Sequence, residues 1–598
     1  MSFANVRPVP FHQVRLDSAF WSPRVDTIRR ETTRYCLKRC EETGRIANFR
    51  RAGGMEEGGF EGIYYNDSDV YKVLEGVAYA LMGGEDAALE AAADTVIDAI
   101  CAAQREDGYL FTYYTLTGLE NRWTDMGYHE AYCLGHMLEG AIAYSQATGK
   151  DKFLRTAVKA LRHMMAVMGP GKRHWVTGHQ ELELAVMRLY RLTGEEDYLA
   201  YARWLVEERG QGHLDSEHFR KLDFHEAYCQ DDLPARDLTR VTGHAVRAMY
   251  YYAGIADIAA VTGDTGLADA LERLWHNVVP ANLYVTGGIG QDASNEGFTR
   301  EWHLPNLTAY CETCAGIGMA LWNHRMSLLH GDARYADLVE TELYNGVLAG
   351  ISLDGLRFFY DNPLSSVGKH HRSEWFGCSC CPTNLVRFIP SVGGYAYGVD
   401  DAQIYVNQYI ASEATLEQNG RPVRLRVDTA YPWEGRIALR VLESQAPVRL
   451  KLRIPAWCAA FALTQDGTAL SVTAEKGYVE ATVPAGSELV LTLDMPPRRI
   501  YSDERVKENA GRVAFARGPI VYCAEEMDQH GCDIPTEYFH ADFSVAAQAS
   551  MTAVPCPEEL NGIVALTVGE ARLVPYYAWC NRGRNAMVVW IKENAARG

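Results

Sequence analysis

Three cysteines fall within four positions in "EWFGCSCCPTN", residues 374–384: Cys378, Cys380 and Cys381. Neighbouring cysteines such as Cys380 and Cys381 are poorly placed to bond to each other, so their chemistry points to a third party. A candidate lies earlier in the chain, where "YCETC" at 310–314 sets Glu312 and Cys314 two positions apart. Glu312, Cys314, Cys380 and Cys381 make a four-donor, thiolate-rich set whose softness selects zinc. Cys311 and Cys378 are spare donors. The spacing matches no zinc-finger template, so a set of buried free thiols is an alternative reading, and a closed structural zinc site is another. The glutamate weighs against the second, since closed sites are usually built from Cys and His alone.

The rest of the composition decides how the cysteines are read. The amino terminus "MSFANVRPVPFHQVRLDSAFW" has no basic stretch followed by an apolar run, and nowhere do about 18 apolar residues run together as a membrane span needs. A cytoplasmic protein with no membrane partner is expected. There are 15 cysteines in 598 residues, an odd number thinly spread, which a reducing compartment leaves as free thiols. A formal charge of −19 argues against a nucleic-acid backbone as partner. A neutral sugar fits that balance better, and 34 tyrosines and 12 tryptophans suit sugar ring faces as well as an ordinary core.

The elements that must position these residues change character near residue 400. Before it the chain reads as helix after helix. In "ELELAVMRLYRLTGEEDYLAYARWLVEERG", Leu182, Ala185, Val186 and Leu189 recur at helical spacing, and Tyr198, Leu199, Ala202, Leu205 and Val206 resume the period after a Thr-Gly turn. Similar punctuation stands at "ATGKDKF", "LTGEEDY", "VTGDTGL" and "LHGDARY", with "MGGEDAAL" as a looser version. Each sets a glycine where a helix can end in the left-handed conformation, then acidic residues where the next can begin. Helix hairpins repeated this way predict an (α/α)6 barrel over residues 1–400, whose inner-helix ends line a central pocket. After 400 the period becomes two: Val448, Leu450, Leu452 and Ile454 alternate with Arg449, Lys451 and Arg453. Two β-sandwich domains are expected, at 401–500 and 501–598, and the first 15 or so residues are candidates to pair with them. The fold class is thus multidomain α+β.

Three segments in this order, "GGIGQDASNEGFTREWHLPN", "YCETCAGIGMALWNHRM" and "WFGCSCCPTN", resemble the zinc-dependent β-L-arabinofuranosidases of glycoside hydrolase family 127. The resemblance extends from "FWSPR" and "NDSDVYK" to "ARGPIVYCAE" and "LVPYYAW". It implies that Glu296 is the acid/base, that Glu312, Cys314, Cys380 and Cys381 bind zinc, and that Cys380 is also the nucleophile. It further implies that His129, His179, His244 and Tyr360 line the sugar pocket, and that the protein is a homodimer. The expected activity is retaining, exo-acting release of L-arabinofuranose from a small oligosaccharide or glycoconjugate.

The implied chemistry has its own physical logic. A retaining glycosidase needs a nucleophile at the anomeric carbon and a proton donor at the leaving oxygen. A free thiol titrates at about 8.5, and coordination to a divalent cation makes it a thiolate at neutral pH. Glu296 would give a proton first and activate water second. Other motifs carry less. "YHEAYC" and "FHEAYC" are near copies that read as similar barrel helices but lack the His-Glu-x-x-His spacing of a metalloprotease. "GGIG" reads as a flexible lead-in to Glu296. The alternatives are a furanosidase for another L-configured or branched sugar, an (α/α)6 enzyme acting on unsaturated uronides through carboxylates alone, and an inactive carbohydrate-binding barrel.

Overall fold

The computed structural model describes residues 3–4, 6–222 and 224–594. The glycine punctuation does what its chemistry suggests. Helices Glu130–Thr148, Leu182–Thr193, Ala245–Thr262 and Thr313–His330 end on Gly149, Gly194, Gly263 and Gly331, with φ of 75°, 71°, 70° and 58°. Acids stand at the next helix starts, and two of them cap: Asp264 accepts from Leu267 N at 3.1 Å and Asp332 from Arg334 N at 3.1 Å, whereas Asp151 and Glu195 hold the same position with no side-chain cap bond. The looser "MGGED" differs, because Gly83 keeps a right-handed φ of −85° while Asp86 still caps the next helix through Leu89 N.

Six inner helices, Asp67–Met82, Glu130–Thr148, Leu182–Thr193, Ala245–Thr262, Thr313–His330 and Cys380–Phe388, each pack on the next, and the last closes on the first. The inner helices are buried on nearly every face: in Ala245–Thr262 every residue from Ala245 to Ala259 is buried. The outer helices bury one stripe, as Lys152–Val167 does with Phe153, Thr156, Ala157, Ala160, Leu161 and Met164. This is an (α/α)6 barrel. Contrary to the reading of "FHEAYC" as a barrel helix, His225–Tyr228 is a single turn within a loop, whereas "YHEAYC" opens the inner helix Glu130–Thr148.

Beyond the barrel, a five-stranded and a seven-stranded sheet share one core. The amino terminus contributes to both, Arg7–Pro8 pairing with Tyr397–Val399 and Val14–Leu16 with Ser412–Gln418. In Val448–Arg453 the residues Val448, Leu450 and Leu452 are buried as the alternation predicts. Arg453 breaks the pattern: it is fully buried, because its guanidinium reaches the barrel's Asp337 and Glu340 at 2.5 Å each. The remaining strands, from Pro497–Ile500 onward, join one ten-stranded network that also takes in Ser365–Val367 from the barrel segment, paired with Ala586–Val588. The β-domains thus brace the barrel through backbone pairing and buried charge.

Candidate active site

All six inner helices begin at the same end of the barrel, and the residues at or just before their first turns meet there. Tyr64 and Tyr65 precede the first, His129 the second, His179 the third and His244 the fourth; Glu312 and Cys314 open the fifth and Cys380 the sixth. They line one cavity of 200 Å³. The positive ends of six helix dipoles converge on it, which favours thiolates and carboxylates.

The four sulfur and oxygen donors form a compact group. Cys314 Sγ lies 3.5 Å from Cys381 Sγ, and Cys380 Sγ lies 3.8 Å from Cys381 Sγ. Glu312 Oε1 is 3.5 Å from Cys380 Sγ and 3.7 Å from Cys381 Sγ. A tetrahedral zinc with bonds of about 2.3 Å to sulfur and 2.0 Å to oxygen spaces two sulfurs about 3.8 Å apart, and a sulfur and an oxygen about 3.5 Å apart. The donor set therefore fits zinc. Burial, reinforced by neighbouring Cys380 and Glu296, pushes the Glu312 carboxyl well up. Burial also raises Cys314, but hydrogen bonds from Cys380 and Cys381 bring it down to about 6. Glu312 Oε2 is buried and, among the described residues, has no hydrogen-bond partner. Ionised together, these four buried groups would call for a cation beyond the nearby Lys72.

The cysteine segment is held from behind. Arg45 Nε donates to Asp69 Oδ2 at 2.9 Å and its Nη2 to Gly377 O at 2.7 Å, while Thr383 Oγ1 donates to Asp69 Oδ1 at 3.2 Å. Tyr360 Oη lies 3.1 Å from Cys380 Sγ, and Tyr360 O accepts Thr313 N at 2.9 Å, coupling the two cysteine-bearing helices.

Glu296 faces this group from the loop before the fifth helix. Its carboxylate, that of Glu312 and the His244 imidazole lie within 4.8 Å of one another. His244 Nε2 is 3.1 Å from Glu296 Oε2, and Tyr310 Oη donates to Glu296 Oε1 at 2.8 Å. Burial raises the Glu296 carboxyl, but these hydrogen bonds outweigh it and hold the group at about 2. The backbone is specialised as well, since Glu296 has φ of +50° and its carbonyl accepts Ala245 N at 3.0 Å. The neighbouring glycines serve close packing, not flexibility: a Cβ on Gly297 would fall 1.8 Å from Gly243 O, and one on Gly288 2.7 Å from Cys311 Sγ.

The other sugar-pocket candidates fall on the same wall. Nδ1 of His129 meets Gly127 O at 2.7 Å and that of His179 meets Gln180 O at 2.9 Å, so each Nδ1 carries the proton and each Nε2 is left as an acceptor. Burial, with Arg247 nearby, holds both imidazoles well below the usual histidine range, hence neutral at pH 7. Of the spare cysteines, Cys378 lines the cavity, whereas Cys311 is buried against Tyr284. Sequence reasoning missed Tyr310, which sits inside the quoted "YCETC", and Arg247, one helical turn after His244 and buried in the cavity wall. Periodicity from His244 could have found Arg247.

Among the described residues no segment after 400 lines this cavity, and no helix is long and apolar enough to cross a membrane. Comparison with known proteins agrees along the whole chain. The family described as "Beta-L-arabinofuranosidase, GH127 catalytic domain" matches residues 13–394, the GH127 middle domain 403–496 and the GH127 C-terminal domain 497–592. A non-reducing end β-L-arabinofuranosidase of Bifidobacterium longum subsp. longum is 37% identical over 607 aligned positions, covering 91% of this chain and 92% of that protein. The crystal structure of a GH127 β-L-arabinofuranosidase from Geobacillus stearothermophilus T6 superposes with a TM-score of 0.93 at 37% identity, covering 97% of this chain and 100% of the other. A further GH127 β-arabinofuranosidase structure gives 0.91 at 37% identity, covering 99% and 98%.

Proposed function

Because this chain belongs to glycoside hydrolase family 127, we propose that it is an exo-acting, retaining β-L-arabinofuranosidase whose nucleophile is Cys380 and whose acid/base is Glu296. The observation that carries this reading is the placement of Glu296 and Cys380 in one 200 Å³ cavity, with Glu312 beside both. That volume is below the roughly 300 Å³ at which sites for larger ligands begin, which suits a single terminal sugar ring.

Glu312, Cys314, Cys380 and Cys381 would hold a zinc ion, which when bound keeps the thiols ionised at neutral pH. The Cys380 thiolate, accepting a hydrogen bond from Tyr360, attacks the anomeric carbon. Glu296 passes a proton to the departing alcohol, and a thioglycosyl bond to Cys380 forms. In the free protein the bonds from His244 and Tyr310 favour the carboxylate, so Glu296 gains its proton as the substrate covers it and excludes water. With the alcohol gone, the Glu296 carboxylate takes a proton from water, the water oxygen attacks the anomeric carbon, and the Cys380 thiolate leaves. Two inversions give net retention. The Nε2 acceptors of His129 and His179 are suited to sugar hydroxyls.

The fifteen cysteines are all free, as a reducing, cytoplasmic setting would keep them. A homodimer is the assembly that the family resemblance implies, and light scattering on the purified protein tests it. The activity itself is tested by release from a panel of p-nitrophenyl furanosides and pyranosides. Turnover of the β-L-arabinofuranoside above all others supports the reading. Preference for another L-configured or branched furanoside would replace it with the neighbouring specificity.

A further inference from the structure

Away from the cavity, at the outer end of helix Glu196–Glu208, two imidazoles close on one carboxylate. His174 Nδ1 hydrogen-bonds Glu208 Oε1, and His213 Nδ1 lies 2.5 Å from the same oxygen. The rings stack with centroids 3.9 Å apart and planes 30° apart. All three donor atoms lie within 4.8 Å of one another. The turn that returns His213 to the helix end runs through Gly210 and Gly212, at φ of 77° and 75°. Gly210 is held there by Asp231 Oδ1, which accepts its N–H at 2.7 Å.

As an ion pair this cluster is poorly designed. Glu208 is the last residue of its helix, where the negative end of the dipole opposes a carboxylate, and its side chain is only 9% exposed. Among the described residues its only ion-pair partners are the two imidazoles. A divalent ion would supply the counter-charge that the buried carboxylate lacks at the negative end of its helix, and each ring would bind it through Nδ1 once the ring proton that now faces Oε1 sits on Nε2.

We propose that His174, Glu208 and His213 form a second metal site, distinct from the cysteine group, for a divalent transition ion of the zinc, cobalt and nickel class. His174 is 63% exposed on its side chain, so water can complete the coordination. The ion clasps two segments that continue into the cavity wall: His174 lies five positions before His179, and His213 five before His218, both cavity-lining residues. Its role is to fix those two loops against the helix end.

The experiment is a titration of the zinc-loaded, full-length protein with Zn²⁺ at pH 7.5, followed by dialysis and metal analysis, for wild type, His174→Gln and Glu208→Gln. Two equivalents in wild type falling to one in both variants is the expected result, and His174→Gln, at an exposed position, preserves the fold. Replacement with Co²⁺ separates the sites: thiolate charge-transfer absorption reports the cysteine group and should be unchanged in His174→Gln, whereas weak visible bands without that absorption should vanish. A rise in melting temperature on adding the second equivalent should be lost in the same variant. One equivalent in wild type, or two in all three proteins, overturns the proposal. Either result leaves the reading of the cysteine group and of catalysis untouched.

Discussion

The His244 ring donates to Glu296 from Nε2 at 3.1 Å while its Nδ1 accepts Val246 N at 3.2 Å. The backbone N–H can only donate, so Nδ1 is a lone pair and the ring proton is on Nε2, pointing at the carboxylate. Burial lowers His244 despite the neighbouring Glu296, which keeps the ring neutral at pH 7. His244 thereby orients the Glu296 carboxylate as well as lining the cavity, and on the proposed mechanism it fixes which oxygen would face the sugar.

Tyr310→Phe removes the other donor, 2.8 Å from Oε1. A hydrogen bond to a charged group contributes about 1.5–3 kcal/mol, or roughly one to two pKa units. The folded-state value of Glu296 is depressed to about 2, so its carboxylate, and the stability it contributes, are present above the unfolded value of about 4.3 and lost as pH falls toward 2. Tyr310→Phe should therefore raise the acidic limb of the steady-state profile for an activated aryl furanoside by about one unit. An unmoved limb would show that Tyr310 does not set the acidity of Glu296.

Metal removal should follow the donor set. Cys314→Ser and Cys381→Ser each take a thiolate from the buried group, and zinc content should fall from about one equivalent at that site to near zero. Acidification should release the ion as well, because protons compete for the thiolates and for Glu312. Full zinc retention in both variants would remove the assignment of these four residues.

What the sequence disclosed, and what it hid, divides along the range of the signal. The barrel was legible because Gly149, Gly194, Gly263 and Gly331 mark helix ends through local backbone geometry. That Glu312, Cys314, Cys380 and Cys381 belong together was legible because thiolate chemistry restricts the residue types, and the fold brings the four within 4.8 Å of one another. His174, Glu208 and His213 carried no such mark: a lone histidine in a loop looks like surface until folding brings it to a helix end. Arg453 was misread for the same reason. Its place in a period-two run predicts solvent, and only the barrel's Glu340 and Asp337, over a hundred residues earlier, explain its burial.

That pairing makes Arg453 a stability determinant of the junction between the barrel and the first β-domain. Arg453→Leu leaves Glu340, itself 1% exposed, as an unpaired buried carboxylate beside Tyr431. The expected cost is about 3–5 kcal/mol, and replacing Arg453 and Glu340 together by apolar residues should recover much of it. Melting temperatures of the single and double variants check this. If the single variant melts with wild type, the buried pair does not hold the junction.

The proposed catalytic pair, Cys380 and Glu296, can be separated by what each residue would transfer. Glu296→Gln keeps the shape and can still bond His244 and Tyr310, but it cannot cycle a proton. Hydrolysis of substrates with poor leaving groups should fall about a hundred- to ten-thousandfold, with zinc still bound. For an activated aryl furanoside the first step needs little acid help, so the thioglycosyl form should accumulate on Cys380. Azide, which needs no general base, should then restore turnover and give a product of retained configuration. Cys380→Ser should abolish turnover and resist such rescue, because the step it loses is the attack itself, and it should weaken zinc binding too. Peptide mapping after a mechanism-based furanoside electrophile should place the label on Cys380. A label on a carboxylate, or an inverted azide product, would reduce Cys380 to a metal ligand and assign the nucleophile elsewhere in the cavity.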